Sequence, residues 1–308
     1  MLVVEVVRGV AVVGGLVEVV RGVAVLDGLL YVVCELFSDI IVFDITTHQR
    51  LDSIKVAGLQ DPNDIAACIP TKNLYIADCR MDMPESTGCM WKVSPPGTVS
   101  QWQLAGGVSP YSLSVRKGRI LVTPLHGRQL FIYNSQQQLK KKIPLPGRME
   151  PRHAVETSQR TVIVCHWGRR NATKVFMIGE FDASGNSLKM FNASDDLNDF
   201  PHVCLDSSGR VLLVDSWNNR VVLLNKDLQL EQWRTFSWSG SSWTTWTTTL
   251  TGCATWRRWA SCLSASQWRT SRSTRSASRR HDPTTPASTP SSDRARRKHH
   301  TAHLTITS

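Results

Sequence analysis

Between Pro201 and Trp233 the sequence alternates short apolar runs with residues that favour tight turns. Runs of this kind, rich in β-branched residues and bounded by Gly, Asn or Asp, predict consecutive antiparallel strands. A single four-stranded sheet cannot bury its own apolar faces, so it requires neighbouring copies to pack against. The predicted strands are 203–205, 210–214, 220–224 and 228–233.

Four earlier sets of apolar runs repeat this pattern from Gly22 onwards. Each later set follows a proline, at positions 62, 110, 151 and 201, and Gly22 stands 40 residues before the first of them. Units of four strands at intervals of 40 to 50 residues are typical of propeller blades. The sequence therefore predicts an all-β fold, a β-propeller of four-stranded antiparallel blades with five blades visible in residues 22–235.

The last blade resembles an NHL repeat. Two segments carry the resemblance, GRVLLVDS at 209–216 and NNRV at 218–221. The first is a glycine turn followed by a strand that ends in Asp-Ser, and the second contains the Asn-Arg-Val that opens the next strand. It implies a six-bladed, TolB-like parent fold of which five blades are visible. We expect structural roles for Asp215, as a hydrogen-bond acceptor, and for Arg220, as the partner of a carboxylate.

The two ends of the chain differ from the repeats. Residues 1–21 belong to a tandem duplication of 13 residues, and we expect one or both copies to pair beside the first or fifth blade. Residues 236–308 hold six of the eleven tryptophans and then mainly Ser, Thr, Arg, Pro and His. This composition predicts a disordered tail, a Trp-rich binding motif or translation in another reading frame. That tail carries 11 of the 36 basic residues and 2 of the 25 acidic ones, so residues 1–235 are nearly neutral. A basic groove for nucleic acid is not expected there.

The eight cysteines are scattered without any CxxC pair, which excludes zinc-ribbon and RING-type sites. We expect buried, reduced thiols in a cytoplasmic protein. Charged residues interrupt the apolar N-terminus early, so neither a signal peptide nor a transmembrane helix is predicted.

The strongest candidate site comes from the repeat itself. The two residues that follow each blade-opening proline occupy equivalent positions, and in propellers such positions surround one mouth of the central channel. We predict a polar contact surface there and expect its residues to contribute little burial; solvated loop ends are the alternative. Trp217, in a turn of the last blade, is a further contact candidate. The residues at the mouth are Asn63, Asp64, Tyr111, Arg152, His153 and His202.

Three of these residues, Asp64, His153 and His202, are also of types that bind metal ions. Amidating lyases, which resemble NHL propellers, use central histidines with zinc, and this resemblance implies a metal-dependent lyase or hydrolase as an alternative function. The sequence contains no GxxxxGK[ST], GxGxxG or GxSxG motif, so it offers no catalytic constellation, and no cofactor is predicted.

The preferred function is non-enzymatic recognition of a protein partner. The NHL resemblance implies the substrate-recognition propeller of a tripartite-motif ubiquitin ligase, although the chain shows no RING or B-box array. RNA binding, known for some NHL propellers, is the third hypothesis. No membrane partner is expected.

Overall fold

The computed structural model describes residues 10–13, 16–35, 37–80, 87–147, 149–170, 173–192, 202–215 and 220–235. These residues form a five-bladed β-propeller whose blades are antiparallel sheets. Its helical content within these ranges is a single 3-10 turn, Ile69–Thr71. No helix in this part of the chain has the length and apolar character needed to cross a membrane. The predictions for Trp217 and for residues 236–308 fall outside the described residues.

The five predicted sets of four strands are all present, in chain order within each sheet. Blade one contains β1 (Val10–Val13), β2 (Leu16–Leu26), β3 (Leu29–Cys34), β4 (Asp39–Asp44) and β5 (Ile54–Lys55). Blade two contains β6 (Pro62–Cys68), β7 (Asn73–Asp78), β8 (Cys89–Ser94) and β9 (Thr98–Trp102). Blade three contains β10 (Pro110–Arg116), β11 (Arg119–Pro124), β12 (Gln129–Asn134) and β13 (Leu139–Pro144). Blade four contains β14 (Glu150–Glu156), β15 (Val162–Arg170), β16 (Thr173–Phe181) and β17 (Ser187–Asn192). Blade five contains β18 (His202–Leu205), β19 (Val211–Asp215), β20 (Arg220–Leu224) and β21 (Leu230–Thr235).

Turns between strands are fixed by short polar side chains that accept backbone N–H bonds two to four residues further along the chain. These bonds explain why Asn and Asp punctuate the apolar runs of the sequence. The acceptors are Asp44, Asn134, Asp182, Asp206 and Asn225.

Neighbouring blades pack face to face, and each interface is an apolar cluster to which two blades contribute. Alternate residues of a strand point to opposite faces of the sheet, so one strand contributes side chains to the interfaces with both neighbouring blades. Members of the four clusters, one from each of the two blades and taken from blade one to blade five, are Tyr31 and Ile76, Tyr75 and Phe131, Leu121 and Val164, and Phe176 and Leu213.

The duplicated N-terminal segment joins the first blade. β1 pairs antiparallel with the start of β2, from Val10 opposite Val19 to Val13 opposite Leu16. β2 continues past this hairpin and pairs with β3 from Val20 onwards. One copy therefore pairs beside the first blade, as predicted, and the inner strand of that blade starts at Leu16, six residues before the predicted domain boundary.

Six cysteines lie within the described ranges. Five of them are buried, and Cys204 is half-buried. Burial raises the pKa of the Cys89 thiol to about 12, with the nearby Asp78 carboxylate acting in the same direction. These cysteines therefore pack as small apolar side chains, as expected from their positions in the strands.

His166 gives the fold a predictable dependence on pH. The side chain is fully buried on β15, with its ring edge-to-face with Phe181 at 6.3 Å between centroids. Burial lowers the pKa of His166 to about 4, although the backbone of Trp167 opposes the shift. The His166 imidazole takes up a proton near pH 6.5 in the unfolded chain but only near pH 4 in the folded chain. Its contribution to the free energy of unfolding is therefore complete above pH 6.5 and is lost as the pH falls to 4.

We expect the free energy of unfolding to drop by about 3 kcal/mol across that interval because of this one group. Urea unfolding at a series of pH values measures the effect. In a His166→Phe variant the free energy of unfolding should fall less steeply with decreasing pH than in the wild type. His126→Ala, which removes an exposed imidazole, should leave the slope as in the wild type. Superimposable profiles for wild type and His166→Phe would contradict the assignment.

Candidate metal site at the propeller axis

The inner strands β2, β6, β10, β14 and β18 pack against one another in that order. The first four contain a break in strand register at the same position of the repeat. A β-bulge of this kind places an extra residue in one strand and changes the direction of its side chain. Proline precedes the break in three of the four strands, where the loss of one N–H donor is tolerated. The residues in the breaks are Arg21, Asn63, Tyr111 and Arg152.

Three titratable side chains from three different blades meet beside these bulges. Asp64 lies on β6, His153 on β14 and His202 on β18, and one possible ligand atom from each lies within 4.8 Å of the other two. Asp64 is 5% exposed and His153 is 7% exposed, whereas His202 is half-buried. The ring of blades thus brings together residues that are far apart in the sequence.

Hydrogen bonds orient the carboxylate of Asp64. Oδ1 accepts the backbone N–H of Ile65 at 2.9 Å, and Oδ2 accepts that of Leu113, in the next blade, also at 2.9 Å. The same Oδ2 lies 3.7 Å from Nε2 of His153. Two backbone donors favour the ionised carboxylate, which is the form that binds metal ions.

The His153 imidazole is oriented by blade five. Its Nδ1 accepts the backbone N–H of Val203 at 3.4 Å, so the hydrogen-bond pattern assigns the ring proton to Nε2, the nitrogen that faces Asp64. The ring of His202 lies 4.8 Å from that of His153 between centroids. At metal sites the ring nitrogen that does not bind the ion usually donates its N–H to an acceptor, so binding of an ion at Nε2 of His153 would require the ring proton to leave that nitrogen.

A second group of contacts joins the blades above this cluster. Asn63 donates from Nδ2 to the carbonyl of Tyr111, and Ser112 donates from Oγ to the carbonyl of Arg152 at 2.7 Å. The Arg152 guanidinium lies 5.4 Å from the centre of the Tyr111 ring, within the range of a cation–π contact. Side chains of one blade therefore fix the backbone of the next around the mouth.

Contacts join several of the predicted mouth residues in a pair or a trio, but the expectation that they contribute little burial is wrong. They lie in the inner strands, and Asn63 and Tyr111 are only 1% and 5% exposed. The strands β6, β10 and β14 include their blade-opening prolines, so these side chains pack between blades. Replacing Tyr111 together with Arg152 and His202 would therefore lower the melting temperature as well as any binding.

The fifth member of the ring was not predicted from the sequence. Arg21 and Gly22 occupy the positions of Asn63 and Asp64, but blade one has Val20 where other blades have proline. The signal available in the sequence was the spacing of 42 residues between Arg21-Gly22 and Asn63-Asp64. Gly22 matters because a Cβ there would lie 2.8 Å from the backbone nitrogen of Ile65.

Two imidazole nitrogens and one carboxylate form a donor set that suits Zn²⁺ or a related divalent transition metal. Three protein ligands leave a coordination position open for a water or a ligand molecule, as in catalytic zinc sites. Ligand atoms around tetrahedral zinc are about 3.4 Å apart, as follows from bonds of about 2.0–2.1 Å. The cluster, with separations of up to 4.8 Å, would therefore contract slightly around an ion.

The sequence matches no protein-family model and no curated protein. Several solved structures share its fold, and three of them illustrate how different the proteins with this fold are. Hydrazine synthase of Kuenenia stuttgartiensis is 16% identical with a TM-score of 0.52 over 68% of this chain and 65% of that one. Virginiamycin B lyase of Staphylococcus aureus is 10% identical with a TM-score of 0.51, covering 71% and 85%. A chain of a nidogen/laminin complex is 11% identical with a TM-score of 0.53, covering 74% and 89%.

The present chain thus spans just under two thirds of the hydrazine synthase chain. At such low identities these similarities support the β-propeller architecture alone, because propellers host unrelated functions.

Proposed function

We propose that the propeller is a metal-dependent ligand-binding module in which Asp64, His153 and His202 hold a divalent transition-metal ion, with Zn²⁺ as the best fit. The observation that carries the proposal is the approach of three ligand atoms, from three blades, to within 4.8 Å of one another. Each blade supplies only one ligand. The site therefore depends on the assembled ring.

The surroundings of the cluster hold two of its side chains in fixed orientations. Asp64 accepts two backbone N–H bonds, and Nδ1 of His153 accepts a third. Burial of Asp64 and His153 reduces competition from water for the ion. When bound, a zinc ion supplies Lewis acidity and lowers the pKa of a coordinated water. A lyase or hydrolase activity would use the same metal site.

Removing one imidazole tests the site directly. We expect His153→Ala to weaken Zn²⁺ binding by about 100-fold or more, because changes even in the residues that orient metal ligands typically cost 10- to 100-fold. Competition between the full-length protein and a fluorescent zinc chelator measures the affinity. His202→Ala and Asp64→Asn should act in the same direction.

Two controls separate the cluster from other imidazoles. His126→Ala removes an exposed histidine of blade three, and a double change of His299 and His300 to Ala removes an adjacent histidine pair from the C-terminal region. Neither should change the high-affinity site. Wild-type affinity in His153→Ala, or its loss only in the His299/His300 variant, would contradict the proposal.

A protein-binding scaffold is the second candidate, and two observations favour it. Nε of Arg220 donates to Oδ2 of the buried Asp215 at 2.7 Å, so the NHL-like motif of blade five has the ion pair expected from its sequence. At the mouth, Arg152 and His202 keep part of their surface accessible while their neighbours are buried. A protein partner or an RNA would bind at this mouth. In a ubiquitin ligase the same surface would bind the substrate protein.

Pull-down with the full-length protein, with and without ribonuclease, distinguishes these partners. We expect ribonuclease-resistant capture of a protein that is weakened by Arg152→Gln and unaffected by Arg128→Gln, an exposed arginine of blade three. Ribonuclease-sensitive capture would favour RNA instead. Equal capture by both variants would place the contact surface elsewhere.

A further inference from the structure

Blade three lies between the blades that carry Asp64 and His153, and its inner strand β10 packs against both of theirs. Strand pairing identifies its residue at the same level of the ring. In β6, β10 and β14 the register shifts once, and the first paired residue after that shift is Asp64, Ser112 and His153, respectively. Ser112 is buried, with 1% of its surface exposed. It is therefore the residue of blade three that corresponds to the two ligand candidates.

The backbone that follows Ser112 contacts Asp64. The N–H of Leu113 donates to Oδ2 of Asp64 at 2.9 Å. The peptide unit between Ser112 and Leu113 is planar, so this bond also fixes the Cα atom of Ser112 relative to the carboxylate. The bond thus connects β6 with β10 at the level of the cluster.

The side chain of Ser112 contacts the blade on the other side. Its Oγ donates to the carbonyl of Arg152 at 2.7 Å. That carbonyl belongs to the planar peptide unit that ends at the Cα atom of His153. The hydroxyl group therefore holds the backbone from which the His153 imidazole extends.

These contacts form a closed loop through three blades. Oδ2 of Asp64, which accepts from Leu113, lies 3.7 Å from Nε2 of His153. The loop thus runs from Asp64 through blade three to the backbone of His153 and returns to Asp64 through the imidazole ring. Buried hydrogen bonds in a connected network restrict the relative movement of the residues that they join. Within this loop, the Ser112 hydroxyl is a group whose removal leaves both ligand candidates chemically unchanged.

We infer that Ser112 is a positioning residue of the proposed metal site. Its hydroxyl sets the separation between Asp64 and His153, and through it the affinity and the coordination geometry of a bound ion. The inference rests on the proposed function, since it concerns the arrangement of the same ligands. Residues that orient metal ligands influence affinity without touching the ion themselves.

Zinc affinity of the full-length protein, measured by competition with a fluorescent chelator, tests this role. We expect Ser112→Ala to weaken Zn²⁺ binding by about 10-fold to 100-fold, the range for residues that orient metal ligands. Ser112→Thr, which keeps the hydroxyl, should bind Zn²⁺ more tightly than Ser112→Ala. Ser114→Ala, which removes a half-buried hydroxyl two residues further along β10, should leave the affinity at the wild-type value.

A double-mutant cycle distinguishes positioning of His153 from a general loosening of the ring. In a His153→Ala protein, the additional Ser112→Ala change should weaken Zn²⁺ binding much less than it does in the wild type, because the imidazole that it positions is missing. In a His202→Ala protein it should keep its full effect. The visible absorption spectrum of the Co²⁺-loaded protein, which reports coordination geometry, should differ between the wild type and Ser112→Ala.

The outcomes separate this inference from the proposed function. If the wild-type protein binds no Zn²⁺, the proposed metal site is wrong and the role of Ser112 with it. If the wild type binds Zn²⁺ and Ser112→Ala shows the same affinity and the same Co²⁺ spectrum, only the positioning role is overturned. An equal effect of Ser112→Ala in the wild-type and His153→Ala proteins would overturn it as well, because the hydroxyl would then act independently of His153.

Discussion

Replacement of Asp78 by alanine is expected to lower the free energy of unfolding by about 3–5 kcal/mol, the cost of breaking a buried, hydrogen-bonded charge pair. Asp78 ends β7 and is fully buried. Its Oδ1 accepts the backbone N–H of Asp61 at 2.8 Å, and its Oδ2 accepts Nε of Arg80 and Nε1 of Trp91, both at 3.1 Å. The alanine variant leaves three donors of blade two without their acceptor.

Asp52→Ala is the matched control because it removes an exposed carboxylate from blade one. Surface substitutions of that kind change stability by less than about 0.5 kcal/mol. Denaturant unfolding of both variants beside the wild type gives the comparison. Trp91→Phe removes one of the three donors and keeps most of the side-chain volume. Its loss of unfolding free energy should lie between the losses for Asp52→Ala and Asp78→Ala. Equal midpoints for Asp78→Ala and Asp52→Ala would show that this network does not hold the blade together.

Gly22→Ala is expected to damage both the fold and the metal site. A Cβ at this position would lie 2.8 Å from the backbone nitrogen of Ile65, 3.0 Å from Cα of Asp64 and 3.1 Å from its Oδ1. Backbone atoms cannot rotate away as a flexible side chain does, so β2 and β6 must separate. We expect a loss of about 1–3 kcal/mol in unfolding free energy, as for other overpacked sites, and weaker zinc binding because Asp64 moves with β6.

Gly97→Ala provides the control, since no atom lies within 4 Å of a Cβ built there. Zinc affinity and denaturant midpoint should both remain at the wild-type values in that variant. A Gly22→Ala protein with normal stability and normal zinc affinity would mean that the approach of blade one to Asp64 is not needed for the site.

The blade pattern was predictable because it depends on local chemistry. Turn residues such as Asp182 and Asn225 cap short apolar runs, and prolines such as Pro62 lie at or near the start of the later inner strands. These signals repeat at intervals that the sequence displays directly. The bulges were not predictable from periodicity, because a register break at Asn63 depends on the pairing of β6 with β7.

The candidate site was predictable only in part. The repeat grouped Asp64, His153 and His202 among the residues that follow the blade-opening prolines, and the structure places these three side chains close together. Burial was not predictable, because it depends on how neighbouring blades close over each side chain. Arg21 was missed for a related reason: blade one lacks the proline that marked the other positions, and only strand pairing reveals the equivalence.

Anomalous diffraction at the zinc absorption edge, from crystals of the full-length protein grown with one equivalent of Zn²⁺, tests the central claim most directly. The account predicts a single strong peak at the axis, with bonds of about 2.0–2.2 Å to one Asp64 oxygen and to a ring nitrogen of each of His153 and His202. Zinc found only at other histidines, with these three side chains arranged as they are without the ion, would contradict it.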